Sequence, residues 1–436
     1  MGKNERGVAG RMLKLYNFTL QRPLGGGPAT MRDDILKLFN LQGYGLILYK
    51  LEVREGEVIL KVGNPRRGAY CVRCGCFTRS IHERGKWRKV FHQYALDKKV
   101  YLMIRKARYF CKHCKRAFTE QLDFISLRQR KTHHAEQQIL KELRGQSFKS
   151  VKEKVGVSYP VAIRVLMKKV TPGRVLWIEE KNLEKISVGI DAHSFRGTQL
   201  VNTVTNLSSP RPLTILPDNR KDTIKRFFSE IPEEIKKKIK EVCIDMDWKL
   251  KRVMEEELPS ANIVVDHYHV IQDANRRVDE ARRIEQDAWK VRIPRRIFLV
   301  GGEKLSKKDK MRLQRILNKY PSLKEFYWMK EALREFYRLT NREEAEERLR
   351  DLIAIAGLSD DAEMVRWSRT LERWSEYILN YFHNRTTNAY TEGIHTKIKM
   401  VKRVSFGFRN VEVYVRKVLL AVLPLAFILS SPHFLT

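Results

Sequence analysis

The chain has 436 residues, and 86 Lys and Arg against 51 Asp and Glu give a net charge of +35 with an isoelectric point near 10.0. The length accommodates roughly three domains, and a 43% hydrophobic content excludes a wholly disordered chain. A charge this far from zero calls for a polyanionic partner, either nucleic acid or an acidic membrane surface.

The membrane alternative is weak. The longest apolar run, Val418 to Leu429, spans 12 residues with Pro424 inside it, whereas a spanning helix needs about 20. No apolar stretch follows the charges of MGKNERGVAG, so the expectation is no signal peptide and a cytoplasmic protein. The charge is also unevenly placed. Residues 1–170 hold 37 basic and 13 acidic residues, a surplus of +24, which leaves only +11 for the rest. The nucleic-acid footprint is therefore expected in the first third.

Residues 1–64 form an N-terminal region without a motif of its own. Residues 65–122 read as a zinc-finger domain, because Cys71-Val-Arg-Cys74 and Cys111-Lys-His-Cys114 each offer two thiolates from one tight turn to a tetrahedral Zn2+. One structural zinc on Cys71, Cys74, Cys111 and Cys114 is the expected set, with Cys76, His82, His92 and His113 as competing ligands. A strand-like alternation from Lys99 to Phe110 returns the chain to the first knuckle. Cys243 sits in a buried-strand pattern and reads as a small core residue.

Residues 130–172 read as a helix-turn-helix. Ser147 caps a helix ending at Val155, Gly156 allows the turn, and Ser158 caps a second helix with Pro160 in its first turn. Tyr159, Arg164 and Lys168 are the candidate DNA contacts on that recognition helix. Thr171-Pro172-Gly173 then marks a boundary.

From residue 185 the pattern is α/β. The apolar run ISVGID ends in Asp191, residues 199–216 form two strands about a Ser-Ser-Pro turn, and EVCID ends in Asp245. A helix from Lys249 to Leu258 leads to NIVVD. Strand ends hold side chains rigidly at an accessible edge, and carboxylates collected there suit Mg2+ or Mn2+. Residues 272–380 read as a helical insertion whose Trp289, Trp328, Trp367 and Trp374 are packing residues. Finally, Thr387 or Asn388 caps a helix with Glu392 in its first turn. Glu392, His395, Lys399 and Arg403 fall near one face, a carboxylate flanked by cations that suits a metal held against a phosphate backbone.

The order of two-knuckle finger, helix-turn-helix, GID, IDM, an N-x-V-V-D-x-x-H block and TNAYTEGIHTKIKMVKRVSFGFRN resembles the insertion-sequence transposases of the ISL-three family, over roughly residues 65–420. The resemblance implies a multidomain α/β protein: a four-cysteine zinc finger and helix-turn-helix ahead of an RNase H-like mixed-sheet catalytic domain at 185–436, interrupted by the helical insertion. It implies a DDE trio of Asp191, Asp245 and Glu392 holding two Mg2+ or Mn2+ ions, with Asp191 bridging them. Asp247 is a local competitor for Asp245. Asp266 and His269 match the family's D-x-x-H block, whose role stays open. His193 and Asn206 depart from the family pattern.

The activity implied is recognition of terminal inverted repeats followed by metal-dependent strand cleavage and strand transfer. Lys399 and Arg403 join the candidate DNA contacts. The partners implied are double-stranded DNA, as transposon ends and target, and further copies of the chain in a dimer or larger synaptic complex on the chromosome of a prokaryotic cell. A non-catalytic zinc-finger and helix-turn-helix regulator is the alternative, and an RNA-processing nuclease a third reading.

Overall fold

The computed structural model describes residues 29–64, 68–172, 180 and 182–430. Gly173 of the expected boundary and residues 1–28 of the N-terminal region lie outside the described residues. The chain divides into two compact units, one reaching from the N-terminal side to Val170 with short returns at Arg403–Gly407 and from Pro424, the other formed by Thr171–Lys402 and Phe408–Leu423.

The first unit begins with helix α1 (Ala29–Leu38) and strands β1 (Ile47–Arg54) and β2 (Glu57–Gly63). The short strands β3 (Ala69–Tyr70), β4 (Phe77–Thr78) and β5 (Ile81–Arg84) follow, then β6 (Arg88–Ala95), β7 (Lys98–Ile104), β8 (Ala107–Cys111) and β9 (Arg116–Thr119). The division expected at residue 64 is not a packing boundary. β2 pairs with β7 in a four-stranded sheet of order β1-β2-β7-β6, and Leu60, Val62, Val100 and Leu102 share one buried core. The alternation expected from Lys99 to Phe110 is two strands, β7 in this sheet and β8 in a separate sheet with β5 and β9.

Three helices follow: α2 (His133–Gly145), α3 (Phe148–Val155) and α4 (Tyr159–Lys169). The Ser147 hydroxyl accepts from the Ser150 N–H at the start of α3, and Gly156 ends it with φ +69°, a left-handed turn suited to glycine. Ser158 stands at the N-cap of α4, but its side chain makes no capping bond. Pro160 occupies the first turn instead.

The second unit is built on a five-stranded sheet of β10 (Ile186–Arg196), β11 (Gln199–Asn206), β12 (Arg211–Leu216), β13 (Ile239–Ile244) and β14 (Asn262–Val265), in the order β12-β11-β10-β13-β14. β12, β11 and β10 pair antiparallel, whereas β10, β13 and β14 are parallel. Parallel neighbours require crossovers. The first holds α5 (Lys221–Ser229) and α6 (Glu233–Lys236), and the second holds α7 (Trp248–Glu257).

After β14 come α8 (His267–Trp289), α9 (Arg296–Leu299), α10 (Lys307–Lys319), α11 (Pro321–Phe336), α12 (Arg342–Gly357), α13 (Ala362–Leu379) and α14 (Tyr381–Asn384). Their core is continuous with Val264 and Val265 of β14. Trp367 and Trp374 are buried in it, but Trp289 and Trp328 are 60% and 42% exposed, so only two of the four tryptophans lie fully in the core, and Trp289 packs from the surface against Tyr320. Helices α15 (Ala389–Val404), α16 (Val411–Val422) and α17 (Leu425–Ser430) end the described chain. Among the described residues no helix is long and apolar enough to cross a membrane.

Candidate active site and metal centres

The two cysteine knuckles meet. The ligand atoms of Cys71, Cys74, Cys111 and Cys114 all lie within 4.8 Å of one another. Each knuckle turns immediately after its second cysteine through a left-handed residue, Gly75 (φ +73°) and Lys115 (φ +51°). The Thr78 hydroxyl donates to the Phe110 carbonyl at 2.9 Å, which ties the two turns together. Backbone N–H groups of Arg73 and Cys74 pull the Cys71 thiol down to about 7, the charge state a metal ligand needs. Neighbouring thiols and burial push Cys114 up to about 12, the cost of crowding four sulfurs without a cation. This donor set fits Zn2+.

The competing ligands separate on geometry. His92 is fully buried and held between the Thr132 hydroxyl (2.9 Å) and the Phe39 carbonyl (2.6 Å), which makes it a structural residue. Cys76 and His113 are exposed, and with Cys74 they form a second group of potential ligands. His82 is exposed and joins neither group.

The acidic site follows from strand register. β10 and β13 pair in parallel up to Gly189 and Cys243, and Asp191 and Asp245 each stand two residues further on. Side chains two apart share a strand face, so the equal offset brings both carboxylates to the same side. His269 lies in the first turn of α8, whose N-cap is Asp266. The ligand atoms of Asp191, Asp245 and His269 lie within 4.8 Å of one another, and so do those of Asp266, His269 and Glu392. The three expected carboxylates therefore do not form one group. They are divided between two that share His269. Asp247, the local competitor of Asp245, is committed as N-cap of α7, where its side chain accepts from the Lys249 N–H.

Glu392 arrives on α15, one turn after Asn388. Asn388 is fully buried, and rather than capping with its side chain it donates Nδ2 to the carbonyls of Ile190 (3.1 Å) and Cys243 (3.4 Å). It thus bridges β10 and β13 where their pairing ends, and its own carbonyl accepts from the Glu392 N–H at 2.9 Å. Gly189 makes room for it. A Cβ there would overlap Asn388 Oδ1 and come within 2.8 Å of the Thr205 and Thr391 hydroxyls. Glu241 draws in the preceding segment, accepting from Ser187, Asn384 and Thr386.

Burial sets the electrostatics. Asp191 is pushed up to about 7, first by burial and then by the charges of Asp245, Glu392 and Asp266. Glu392 is raised by burial and by Asp266. Burial works against a charged His269, but Asp245 at 2.8 Å, Asp191 and Asp266 outweigh it and hold the imidazole at about 9. Asp266 Oδ2 and Glu392 Oε1 are buried without a hydrogen-bond partner. Buried acceptors left open in this way fit a divalent cation.

His395 differs from its expected place among cations. It is buried, its Nδ1 lies 3.3 Å from Asp191 Oδ2, and burial takes it down to about 4, so it is neutral. Lys399 and Arg403, one and two turns further along α15, are exposed. On α4, Tyr159 is 51% exposed and packs against Phe148, and Arg164 is exposed. Lys168, the third candidate on this helix, is placed differently. It is half-buried and ion-paired with buried Glu136 at 3.3 Å, which ties α4 to α2. Of the two departures from the family pattern, Asn206 donates to buried Glu180 at 2.6 Å, and His193 bonds to the Thr203 hydroxyl at 3.1 Å, one residue removed from His395.

A family model described as a transposase, of the DDE-type ISL3 group, matches residues 188–418. The transposase for insertion sequence element IS1001 of Bordetella parapertussis is 23% identical over 387 residues, covering 86% of this chain and 95% of that protein. Transposases for insertion sequence element IS1557 from two strains of Mycobacterium tuberculosis are each 25% identical over 287 residues, 58% of this chain and 64% of theirs.

Proposed function

Because the chain belongs to the ISL3 (ISL-three) family of insertion-sequence transposases, enzymes that act on DNA, we propose that it binds the terminal inverted repeats of its own element and catalyses divalent-metal-dependent strand cleavage and strand transfer. The observation that carries this reading is the convergence of Asp191, Asp245, Asp266 and Glu392 on His269, with buried carboxylate oxygens left open. An antiparallel β12-β11-β10 half joined to parallel β13 and β14, with Asp191 on the central strand, supports an RNase H-like sheet for residues 185–436.

Asp191, Asp245 and Glu392 are the carboxylates that would hold Mg2+ or Mn2+, and Asp266 would add a fourth on the Glu392 side. When bound, such cations activate an attacking oxygen and stabilise the departing one in phosphodiester cleavage and transfer. His269 has a separate task. Its imidazolium supplies positive charge between the carboxylates and lies 2.8 Å from Asp245. Lys399 and Arg403 extend from the same helix as Glu392 and offer charge to DNA phosphates.

In the first unit, the four-cysteine group would hold one structural Zn2+. The helical hairpin of α3, Gly156 and α4 would act as a helix-turn-helix, with Tyr159 and Arg164 toward DNA. Two transposon ends must be cut in one complex, which favours a dimer or larger assembly.

The test is a plasmid carrying the DNA that borders the gene on either side. Asp191→Asn, Asp245→Asn and Glu392→Gln should each abolish Mg2+-dependent cleavage while retaining binding to those borders. If a variant cleaves normally, that residue is not catalytic. If wild type binds the borders and cleaves nothing with Mg2+ or Mn2+, the chain is a DNA-binding regulator. If it cuts RNA in preference to duplex DNA, it is an RNA-processing nuclease.

A further inference from the structure

The surplus of +11 carried by residues 171–436 is concentrated in one short stretch. Residues 290–320 hold 11 basic and 2 acidic residues, a surplus of +9, whereas residues 321–380 of the same helical insertion hold 10 basic and 13 acidic ones. All 11 cations of the stretch are exposed. Among the described residues only Arg295 has an acidic partner, Asp279 at 3.0 Å. The two acids of the stretch are committed elsewhere. Glu303 pairs with Arg334 and Arg338, and Asp309 accepts from the Ser306 hydroxyl at the start of α10. By contrast, Arg338, Arg350 and Arg366, exposed cations on the rest of the insertion, are paired with Glu335, Glu346 and Glu363.

Helix α10 gathers the unpaired charge on one face. Its Leu313 and Leu317, with Tyr320 just beyond, turn into the insertion core. Lys308, Arg312, Arg315 and Lys319 follow one another at intervals of four, three and four residues, so they form a single stripe on the outer side. Like charges at these spacings repel, and a polyanion laid along the stripe neutralises that repulsion. The stripe is about 16 Å long, the rise of about five base pairs. Lys319 Nζ lies 6.0 Å from the centre of the exposed Trp289 ring, which seats the end of the stripe at the last turn of α8. The first turn of α8 carries His269 of the acidic site, and the 20 residues from there to Trp289 span about 30 Å.

We propose that the outer face of α10, through Lys308, Arg312, Arg315 and Lys319, binds the phosphate backbone of duplex DNA, as a contact surface additional to the zinc-finger and helix-turn-helix region. Contacts of this kind hold a duplex in place without reading its sequence. At about 3.4 Å per base pair, DNA leaving the acidic site reaches the stripe about nine base pairs from the bond cut there. That position, though not the binding, rests on the acidic site being the cleavage centre proposed above.

The experiment compares the full chain with a variant carrying Lys308→Gln, Arg312→Gln, Arg315→Gln and Lys319→Gln. Affinity is measured for two duplexes, the border DNA and an unrelated sequence of equal length, across a series of salt concentrations. At about 0.1 M salt the variant should bind both duplexes at least about tenfold more weakly, and the slope of log affinity against log salt should fall by about 3 to 4. The four side chains are exposed, so the melting temperature should not fall. A control with Arg338→Gln, Arg350→Gln and Arg366→Gln removes exposed but paired cations and should change the slope by less than about 1. On the border duplex, wild type should protect a segment about nine base pairs from the cleavage position against hydroxyl radicals, and the stripe variant should lose that protection.

Unchanged affinity and slope in the stripe variant refute the surface, and so does a control that weakens binding as much. A loss confined to the border duplex refutes contact through phosphates alone. If wild type binds the borders but cuts nothing, the cleavage reading and the nine-base-pair position fall together, and the salt slopes decide the surface by themselves.

Discussion

Asp191→Asn should stabilise the Mg2+-free protein while removing its proposed activity. The Asp191 carboxyl moves from an ordinary 3.8 to about 7 in the folded chain, chiefly through burial. At about 1.4 kcal/mol per pH unit, this corresponds to at most about 4 kcal/mol of folding stability. A raised carboxyl pKa means that, between pH about 4 and about 7, the folded state keeps a proton that the unfolded chain has released. Stability of the Mg2+-free protein therefore falls as pH rises through that window. His269 adds a second decline. Held at about 9, it contributes fully below its ordinary 6.5 and loses that contribution as pH rises through about 9. Asp191→Asn has no charge to bury at that position, so its profile should fall less steeply across the lower window, where only the raised Glu392 carboxyl remains to be ionised. Near pH 7 it should melt up to roughly 10 °C above wild type in the transition of the second unit. The assay is scanning calorimetry from pH 4 to 7.5 on protein freed of Mg2+ but retaining zinc. Added Mg2+ should raise the wild-type transition and leave the Asn variant unmoved. Parallel pH profiles for the two proteins would refute this account of Asp191.

Gly189→Ala should cost about 1–3 kcal/mol, because its methyl group meets Asn388, Thr205 and Thr391 with no open space to take them up. It should also lose cleavage, since Asn388 can no longer bridge the two strands. A variant with wild-type melting and activity would show that the bridge is dispensable. Cys71→Ser or Cys114→Ser should release the bound zinc and abolish binding to the border DNA, as measured by metal analysis and a mobility shift. Unchanged zinc content would refute the four-cysteine centre.

Features that depend on local spacing were legible in the sequence. Two C-x2-C turns, an apolar run ending in Asp191, another ending in Asp245, and a helix with Glu392 in its first turn each follow from a few adjacent residues. What remained hidden depends on pairings distant along the chain. The β2–β7 pairing joins residues about 40 positions apart, so no composition change at residue 64 could reveal that the sheet crosses it. His395 has the spacing of a solvent-facing cation, and only the placement of α15 on the sheet turns it inward to Asp191. Lys168 likewise reads as a free basic residue until the α2–α4 packing supplies Glu136. Trp289 and Trp328 carry the same letter as buried Trp367 and Trp374, and residue type alone does not separate an exposed indole from a packed one.

Asn388 explains how three remote segments deliver their carboxylates to one place. A parallel pair can hold Asp191 and Asp245 on one face, but the β10–β13 pairing ends before them, and nothing in β10 or β13 specifies where a helix some 150 residues later must lie. A single amide bonded to both strand carbonyls supplies that instruction. Its position four residues before Glu392 fixes that side chain by about one helical turn, about 6 Å of rise. The long helical insertion can therefore vary in its own packing without moving Glu392, provided Asn388 and the gap at Gly189 are kept. The acidic site is thus built less by the three acids than by the neutral residues that bring them together.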